Sequence, residues 1–341
     1  MQPSEVIDIV PSAYEKGLAS GDLLFFPSSV HHVEENGIKY EIRLCPALQK
    51  KPQPKDSSQA DSEKKTYDPF SPPYNPNLFI GYLPNQDRGD EAYAILMNKY
   101  SVVPNHFLMV TKEYQSQTSP LTPDDLLNSY KLLIAARKAR KNVFAFYNCG
   151  DLSGASQPHK HLQFIQIEDE HGPPIEKITR GINLETPDRP FTVNRLSYAN
   201  HVFRFPSTLS SLSENEQEAT LAQAFLSLLD LAISTIRHDP NYPAGKPSYN
   251  VILTLEHLHV IPRSKEYHSL ESNGDQLPVN SLGYAGMLLV KSETELEAVK
   301  GEGISKILRS VGLGSVHEQQ VMGDTVDVDV PGGIQVGGSR I

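Results

Sequence analysis

His159-Lys-His161-Leu-Gln163 sets two imidazoles and an amide at alternate positions, and the apolar run Phe164-Ile-Gln-Ile167 follows. On a β-strand, residues two apart share a face, so the three side chains project into one space. The preceding text, Ser153-Gly154-Ala155-Ser156-Gln157-Pro158, is small and polar. Backbone can approach a ligand closely there, and successive amides can form a nest for phosphate oxygens. Three uses compete for such a strand. The bland one is surface decoration or hydrogen-bonded structure. A cupin-type metal site would want a glutamate shortly after the second histidine on the same face, but Glu168 lies seven residues past His161 and, by parity, on the other face. The third use is covalent catalysis at phosphorus, in which neutral imidazole attacks and a second acceptor cleaves the phosphoramidate. That chemistry needs a fixed tautomer, donors for the non-bridging oxygens and cations for the departing polyphosphate. The loop, Gln163 and nearby lysines are the candidates to supply them.

The elements that must hold this strand read as follows. Tyr93-Ala-Ile-Leu-Met97 and Phe107-Leu-Met-Val-Thr111 are short apolar runs that predict an antiparallel pair. Thr122-Pro123-Asp124-Asp125 supplies an N-cap, a first-turn proline and a carboxylate, and predicts a helix over about 123–140. Val143–Tyr147 predicts a strand, Asn148–Pro158 a loop and His159–Ile167 a second strand. Ser213 with Glu216 forms a capping box ahead of Leu221, Phe225, Leu228, Leu229, Ala232 and Ile236, one face of a long helix. Strands at 249–255 and 257–262 follow, the second opening on His257-Leu-His259. The order helix, strand, strand thus occurs twice, which hints at an internal duplication with its break in the proline-bearing stretch 172–205. Residues 50–76, with six prolines among Lys, Ser, Asp and Glu, read as a mobile surface loop.

Composition bounds the function. Lys plus Arg total 31 and Asp plus Glu 41, a net charge of −10, which argues against a nucleic acid polymer or an anionic membrane surface as partner. Any anionic ligand must meet a local cluster of cations. Two cysteines, Cys45 and Cys149, allow neither a disulfide framework nor a four-cysteine zinc site, and suit a reducing compartment. The first residues carry no basic and apolar leader, and no window approaches eighteen consecutive apolar residues. The expectation is a soluble protein of the cytoplasm, with the nucleus as a second location.

At the histidine strand the text Gly-x-Ser-x-x-His-x-His-x-Gln resembles the active-site strand of the histidine-triad superfamily, in the branch whose third histidine is glutamine. That branch holds the galactose-1-phosphate uridylyltransferases and the fungal diadenosine tetraphosphate phosphorylases. Leu96-Met-Asn98-Lys99-Tyr100, Leu108–Gln117, Leu121-Thr-Pro123-x-Asp-Leu126, Tyr147-Asn148, Ile261-Pro262-Arg263-Ser264 and Asn280–Lys291 match the phosphorylase pattern over roughly residues 8–320. The paired-cysteine zinc site common in the uridylyltransferases is absent from the sequence.

The resemblance implies an α+β fold of two histidine-triad-like halves, antiparallel sheets flanked by helices and packed as one compact body. The halves are 1–190, with the working motif, and 191–322, the ATP adenylyltransferase half with a degenerate one; 323–341 is read as a loose tail. The implied reaction is phosphorolysis of diadenosine 5',5'''-P1,P4-tetraphosphate to ATP and ADP through an adenylyl-enzyme, with a side activity as ADP sulfurylase. By position, His161 matches the nucleophile and Gln163 the amide on the α-phosphate; His159 is assigned to orienting His161. Lys51, Asn98, Lys99, Asn148, Gly154, Ala155, Ser156, Gln157, Asn280, Ser281, Leu282, Met287 and Lys291 match nucleotide-contacting positions. The implied partners are these nucleotides and inorganic phosphate, acting on a monomer. No metal cluster is borne by the protein, no cofactor is tightly bound, and a divalent cation such as magnesium accompanies the nucleotide. Family text departs at His257-Leu-His259.

The residues themselves agree with the glutamine. A third histidine can protonate a poor leaving group and later help water attack, whereas an amide does neither at neutral pH. ATP is a good leaving group, so Gln163 suits transfer to phosphate. Without the resemblance, Lys51 reads as a solvated loop lysine, Lys99 and Lys291 as strand-end lysines and Met287 as core. Two other functions stay open at this point: a dinucleoside polyphosphate hydrolase, for which no general base is visible, and a non-catalytic nucleotide-binding protein in which His161 only hydrogen-bonds phosphate.

Overall fold

Why the chain folds locally is clearest at its helix starts. Thr122 accepts the Asp125 N–H while Asp125 accepts the Thr122 N–H at 2.7 Å, and Pro123 fills the first helical position, where no N–H is needed. The helix that follows runs Pro123–Lys138. Ser213 and Glu216 repeat the device for Glu214–Arg237. Such a cap contributes about 1 kcal/mol, enough to fix where a helix begins but not to hold it. Burial does the holding: Leu221, Ala224, Phe225, Leu228, Ala232 and Ile236 form one inward face of the second helix. By length and composition this helix is apolar enough to cross a membrane, but its inward face belongs to the main core.

The computed structural model describes residues 1–50, 68–84 and 91–315. In chain order the elements are α1 (Pro3–Ser20), β1 (Leu24–Phe25), β2 (Ser29–Glu35), β3 (Ile38–Leu44), β4 (Phe79–Pro84), β5 (Glu91–Met97), β6 (Tyr100–Ser101), β7 (Phe107–Thr111), α2 (Pro123–Lys138), β8 (Asn142–Cys149) and β9 (His161–Ile167). After α3 (Pro174–Arg180) come β10 (His201–Arg204), α4 (Glu214–Arg237), β11 (Ser248–Leu253) and β12 (His257–Arg263). The chain continues through β13 (Tyr267–Ser269), β14 (Gln276–Pro278), α5 (Ser281–Ala285), β15 (Met287–Val290), α6 (Glu293–Glu302) and α7 (Ile304–Val311). Lys51, most of the expected 50–76 loop and the expected tail from 323 lie outside the described residues.

One eight-stranded antiparallel sheet, in the order β10-β12-β11-β8-β9-β7-β5-β4, spans both halves through the pairing of β8 with β11. The repeated order is visible in it: β7, α2, β8 and β9 on one side are echoed by β10, α4, β11 and β12 on the other. Alternation divides the side chains. Tyr93, Met109, Tyr147, Leu162, Phe164, Val251 and Leu258 point to the core beneath α1, α2 and α4. Phe144, Phe146, Ile165, Ile252 and Ile261 point to a second core under α5, α6, α7 and the small sheet β15-β3-β2. The architecture is α+β. Its site histidines lie on this second face.

Two expectations are corrected. The strand expected from His159 begins at His161, with His159 held by an isolated bridge to Ser116. The proline-bearing stretch 172–205, expected to hold the break between the halves, is not all loop, for it contains α3 and β10. Pro173 and Pro174 there do not break structure; they occupy the N-cap and first position of α3, where proline fits.

Candidate active site

His161 opens β9 between β7 and β8. The β8–β9 ladder ends at the pair Phe146 and Gln163, and beyond it the buried amide of Gln117 takes over. Gln117 Oε1 accepts the His161 N–H at 2.8 Å, while its Nε2 donates to the Asn148 carbonyl at 2.7 Å. The backbone under the histidine is therefore pinned where regular pairing stops.

The imidazole is pinned too. His161 Nδ1 donates to the His159 carbonyl at 2.8 Å, which parks the proton there and leaves Nε2 with a lone pair. Among the described residues Nε2 has no hydrogen-bond partner, and the Phe70 ring lies against the imidazole at 4.9 Å between centroids. Burial, aided by the neighbouring His159, pushes the His161 pKa down to about 4 against the opposing effect of that carbonyl hydrogen bond. At neutral pH the ring is uncharged and nucleophilic. A fixed tautomer, a free Nε2 and a neutral state are what attack at phosphorus requires.

His159 serves this arrangement through its carbonyl. Its ring stays on the same side of the sheet, but Nδ1 meets Asp68 Oδ2 at 2.8 Å and Nε2 meets the Thr111 carbonyl at 2.7 Å, so neither nitrogen is left for a substrate. Asp68 also accepts the Phe70 N–H at 2.9 Å and the Ser71 hydroxyl at 2.7 Å. Burial raises the Asp68 carboxyl pKa, and these donors together with His159 outweigh it and hold the group below the usual range. Lys160, between the two histidines in sequence, does not face the site. It points through the sheet, fully buried, onto Asp125 Oδ2 at 2.5 Å and the Pro120 carbonyl at 2.9 Å, at the start of α2.

Gln163 is half-buried on the same face, two residues along from His161. Its Oε1 contacts His106 Nε2 at 3.1 Å, and the other His106 nitrogen, Nδ1, contacts Asn98 Nδ2 at 2.8 Å. Burial pushes the His106 pKa to about 4, so this third imidazole is neutral as well. Sequence reasoning missed His106. The only signal was a histidine directly before the apolar run 107–111, and its meaning depends on β7 lying beside β9.

The positions expected to touch nucleotide do not all gather in one place. Asn148, on β8, extends the register to stand beside His161, and its Oδ1 accepts from the Ser281 N–H at 3.0 Å, the Ser281 hydroxyl at 2.7 Å and Asn250 Nδ2 at 2.8 Å. Gly154 brings the loop against the start of α5; with φ near +78°, any Cβ there would lie 2.6 Å from the Val279 carbonyl. Asn280 caps α5 through the Leu282 N–H at 3.0 Å, so Asn148, Gly154, Asn280, Ser281 and Leu282 form one cluster. Ala155, Ser156 and Gln157 follow on the loop between Gly154 and His159, with Ser156 exposed. Met287 is buried on β15, and the exposed side of that region carries Lys291, which pairs with Glu295 at 3.4 Å. Lys99 is exposed beside Tyr100. Neither Lys99 nor Lys291 has a hydrogen bond or ion pair to His161 or Gln163.

An open cleft lined by Arg137, Lys141, Glu176, Arg180 and Glu256 lies at the opposite end of β8 and β9. Its polar groups are already engaged: Arg180 binds Glu256 through two bonds of 2.7 and 2.8 Å, and Lys141 donates to the Ile7 carbonyl. Glu176, Glu256 and His257 bring possible ligand atoms within 4.8 Å of one another, but Glu176 and His257 hydrogen-bond each other and the Arg204 guanidinium donates to His257 Nε2 at 3.0 Å. That group carries its own cations. Chemistry, rather than concavity, places the candidate site at His161.

Residues 1–180 match the family model described as the Ap4A phosphorylase N-terminal domain, and residues 194–314 that of the ATP adenylyltransferase C-terminal domain. The chain is 31% identical over 328 residues to Protein APA1 of Saccharomyces cerevisiae, spanning 93% of this chain and 97% of that one. It is 33% identical over 285 residues to diadenosine 5',5'''-P1,P4-tetraphosphate phosphorylase 2 of the same yeast, spanning 79% and 83%. The crystal structure of yeast Ap4A phosphorylase Apa2 superposes with a TM-score of 0.75 at 27% identity over 91% of this chain and 98% of that one. A second structure, of Apa2 in complex with Ap4A, gives 0.74 over 92% and 99%. The pinned histidine strand therefore sits in a chain that belongs to the Ap4A phosphorylase family.

Proposed function

We propose that this protein cleaves diadenosine 5',5'''-P1,P4-tetraphosphate with inorganic phosphate, through an adenylyl group carried on His161. His161 Nε2 attacks one α-phosphorus, the bond to the bridging oxygen breaks and ATP departs. Inorganic phosphate then attacks the same phosphorus, the P–N bond breaks and ADP leaves, restoring neutral His161. The single observation that carries this reading is the Nδ1 bond to the His159 carbonyl, which leaves Nε2 as the nucleophile. Gln163 offers its amide N–H groups to the α-phosphate oxygens, and Asn148 with the Gly154 loop and the start of α5 receives the nucleotide. A divalent cation such as magnesium accompanies the polyphosphate.

The names of the yeast relatives agree with this reading. Incubation with the tetraphosphate, with and without inorganic phosphate, tests it. The expected products with phosphate are ATP and ADP in equal amounts, and without phosphate one burst of ATP with one adenylyl group added to the protein. AMP as the main product in the presence of phosphate would make the protein a hydrolase, and no product at all a nucleotide-binding protein.

A further inference from the structure

A directed chain of hydrogen bonds ends on the amide of Gln163. The Tyr100 N–H donates to Asn98 Oδ1 at 3.4 Å, which decides the orientation of the Asn98 amide and turns its Nδ2 toward His106. Asn98 Nδ2 then donates to His106 Nδ1 at 2.8 Å. A nitrogen that accepts carries no proton, so in the neutral ring the proton sits on Nε2. That nitrogen faces Gln163 Oε1 at 3.1 Å. The hairpin between the two residues is itself closed, with the Asn98 N–H on the His106 carbonyl at 2.9 Å and the Ser101 hydroxyl on the Asn98 carbonyl at 2.9 Å.

We propose that His106, held by Asn98, is a positioning residue that fixes Gln163 with its carbonyl oxygen inward and its two N–H donors toward the phosphoryl group transferred to His161. This rests on the reaction proposed above. An amide free to turn over would present its oxygen to the phosphate half of the time, and lone pair against anionic oxygen is repulsive. With Oε1 engaged by His106, the outward atom is Nε2, which has no hydrogen-bond partner among the described residues. His106 is 4% exposed and its pKa is held at about 4 by burial, so the neutral tautomer persists across the neutral range. Phe146 packs beside its ring at 6.4 Å between centroids and keeps it from swinging away. The active site thus contains a third imidazole after all, supplied by the neighbouring strand rather than by the motif, and it acts on the amide instead of on the substrate.

The test uses the full chain with His106→Phe, His106→Gln, Gln163→Ala and the double variant His106→Phe with Gln163→Ala. Two quantities are read: the single-turnover rate of adenylyl transfer from the tetraphosphate without phosphate, and the Kd of AMP against that of adenosine. His106→Phe should slow adenylyl transfer and weaken AMP about tenfold or more, the size expected for hydrogen bonds to a charged group, while adenosine binding stays within twofold. His106→Gln, which can still donate to Oε1, should recover most of both. The double variant should be no worse than Gln163→Ala alone, because His106 acts through that amide. Losses that multiply in the double variant, an AMP affinity unchanged by His106→Phe, or equal losses for AMP and adenosine would overturn the proposal. If the wild-type protein formed no adenylyl-enzyme the phosphorolysis reading would fall, and the AMP and adenosine comparison would still decide the role of His106.

Discussion

His161 and the pair His257 and His259 stand on one face of one sheet, on the equivalent strands β9 and β12, and they differ in what their ring nitrogens touch. His161 gives its Nδ1 proton to an uncharged backbone carbonyl and keeps Nε2 open. At the second pair Glu176, which α3 contributes from the first half of the chain, receives His257 Nδ1 at 2.8 Å and His259 Nε2 at 3.3 Å, while Arg204 donates to His257 Nε2. Thr254 adds a bond of 3.0 Å to the same carboxylate. Both arrangements fix a tautomer, but the second closes on itself around a buried anion. A phosphate would meet Glu176, and His257 has no nitrogen left to attack it. The comparison shows that a strand imidazole keeps one nitrogen open when its ring bonds only a backbone carbonyl, and is closed into a clamp when a carboxylate and a guanidinium take both nitrogens.

The largest expected effect breaks the comparison outright. His161→Ala should reduce turnover by roughly three or more orders of magnitude, since a covalent route loses its nucleophile. His259→Ala should cost less than about tenfold, under roughly 1.4 kcal/mol of transition-state stabilisation. Intact-mass analysis of protein quenched with the tetraphosphate and no phosphate should show at most one adenylyl group per chain. Two groups, or a His259 variant as inactive as the His161 one, would mean that both halves react.

Stability should rank the two regions the other way. Removing His257 leaves Glu176 buried, 1% exposed, with one donor fewer, and a buried charge short of a partner costs about 3–5 kcal/mol. His161→Ala removes a neutral ring and leaves no buried charge without a partner, so it should cost less than the His257 variant. Chemical denaturation of the two variants checks this; equal midpoints would show that the Glu176 clamp holds nothing.

Acid separates them next. Burial raises the Glu176 carboxyl pKa, yet the hydrogen bonds from His257 and His259 outweigh it and hold the group far below the usual carboxylate value. A depressed carboxylate contributes stability that is complete above its unfolded value near 4.5 and is lost as pH falls toward its folded one. His106, His161 and His201 are buried neutral with values pushed down to about 4, so the unfolded chain binds their protons first, and stability declines from about pH 6.5 downward. Thermal melts should therefore hold level from pH 8 to 7 and then drop. Adenylyl transfer should not follow the free-histidine curve: its acid limb should lie near pH 4, and a midpoint at 6.5 would show that His161 is not buried as described.

Much of this was legible in the sequence because it rests on local rules. The capping boxes at Thr122 and Ser213, the short apolar runs at 93–97, 107–111 and 143–147, and the shared face of His161 and Gln163 all follow from short-range spacing. What the sequence hid are consequences of register and of chain distant in sequence. Glu176 reaches His257 across 81 residues, His106 reaches Gln163 across 57 and Asp68 reaches His159 across 91. No spacing rule predicts such pairs, because strand order decides them. Lys160 illustrates the same limit: it alternates away from the histidines and has its anion, Asp125, on the far side of the sheet.

The smallest effect concerns Gln163→His, where the two halves would be made more alike by giving the first a second imidazole on its strand. The substitution restores a group able to pass a proton to or from water, so hydrolysis should gain on phosphorolysis. His106 limits the gain. Its Nε2–H faces position 163, so the new ring must accept there with one nitrogen and carry its proton on the other, toward the phosphoryl group. In that state it can protonate a leaving group once, but it takes a proton from incoming water only after losing its own. The expected result is a rise of a few-fold in the ratio of AMP to ADP formed at fixed phosphate, with adenylyl transfer itself changed by less than about tenfold. Combining it with His106→Phe removes the donor that forces this tautomer and should raise the ratio further. An AMP to ADP ratio that stays at the wild-type value in both variants would show that water is kept out by something other than the amide at position 163.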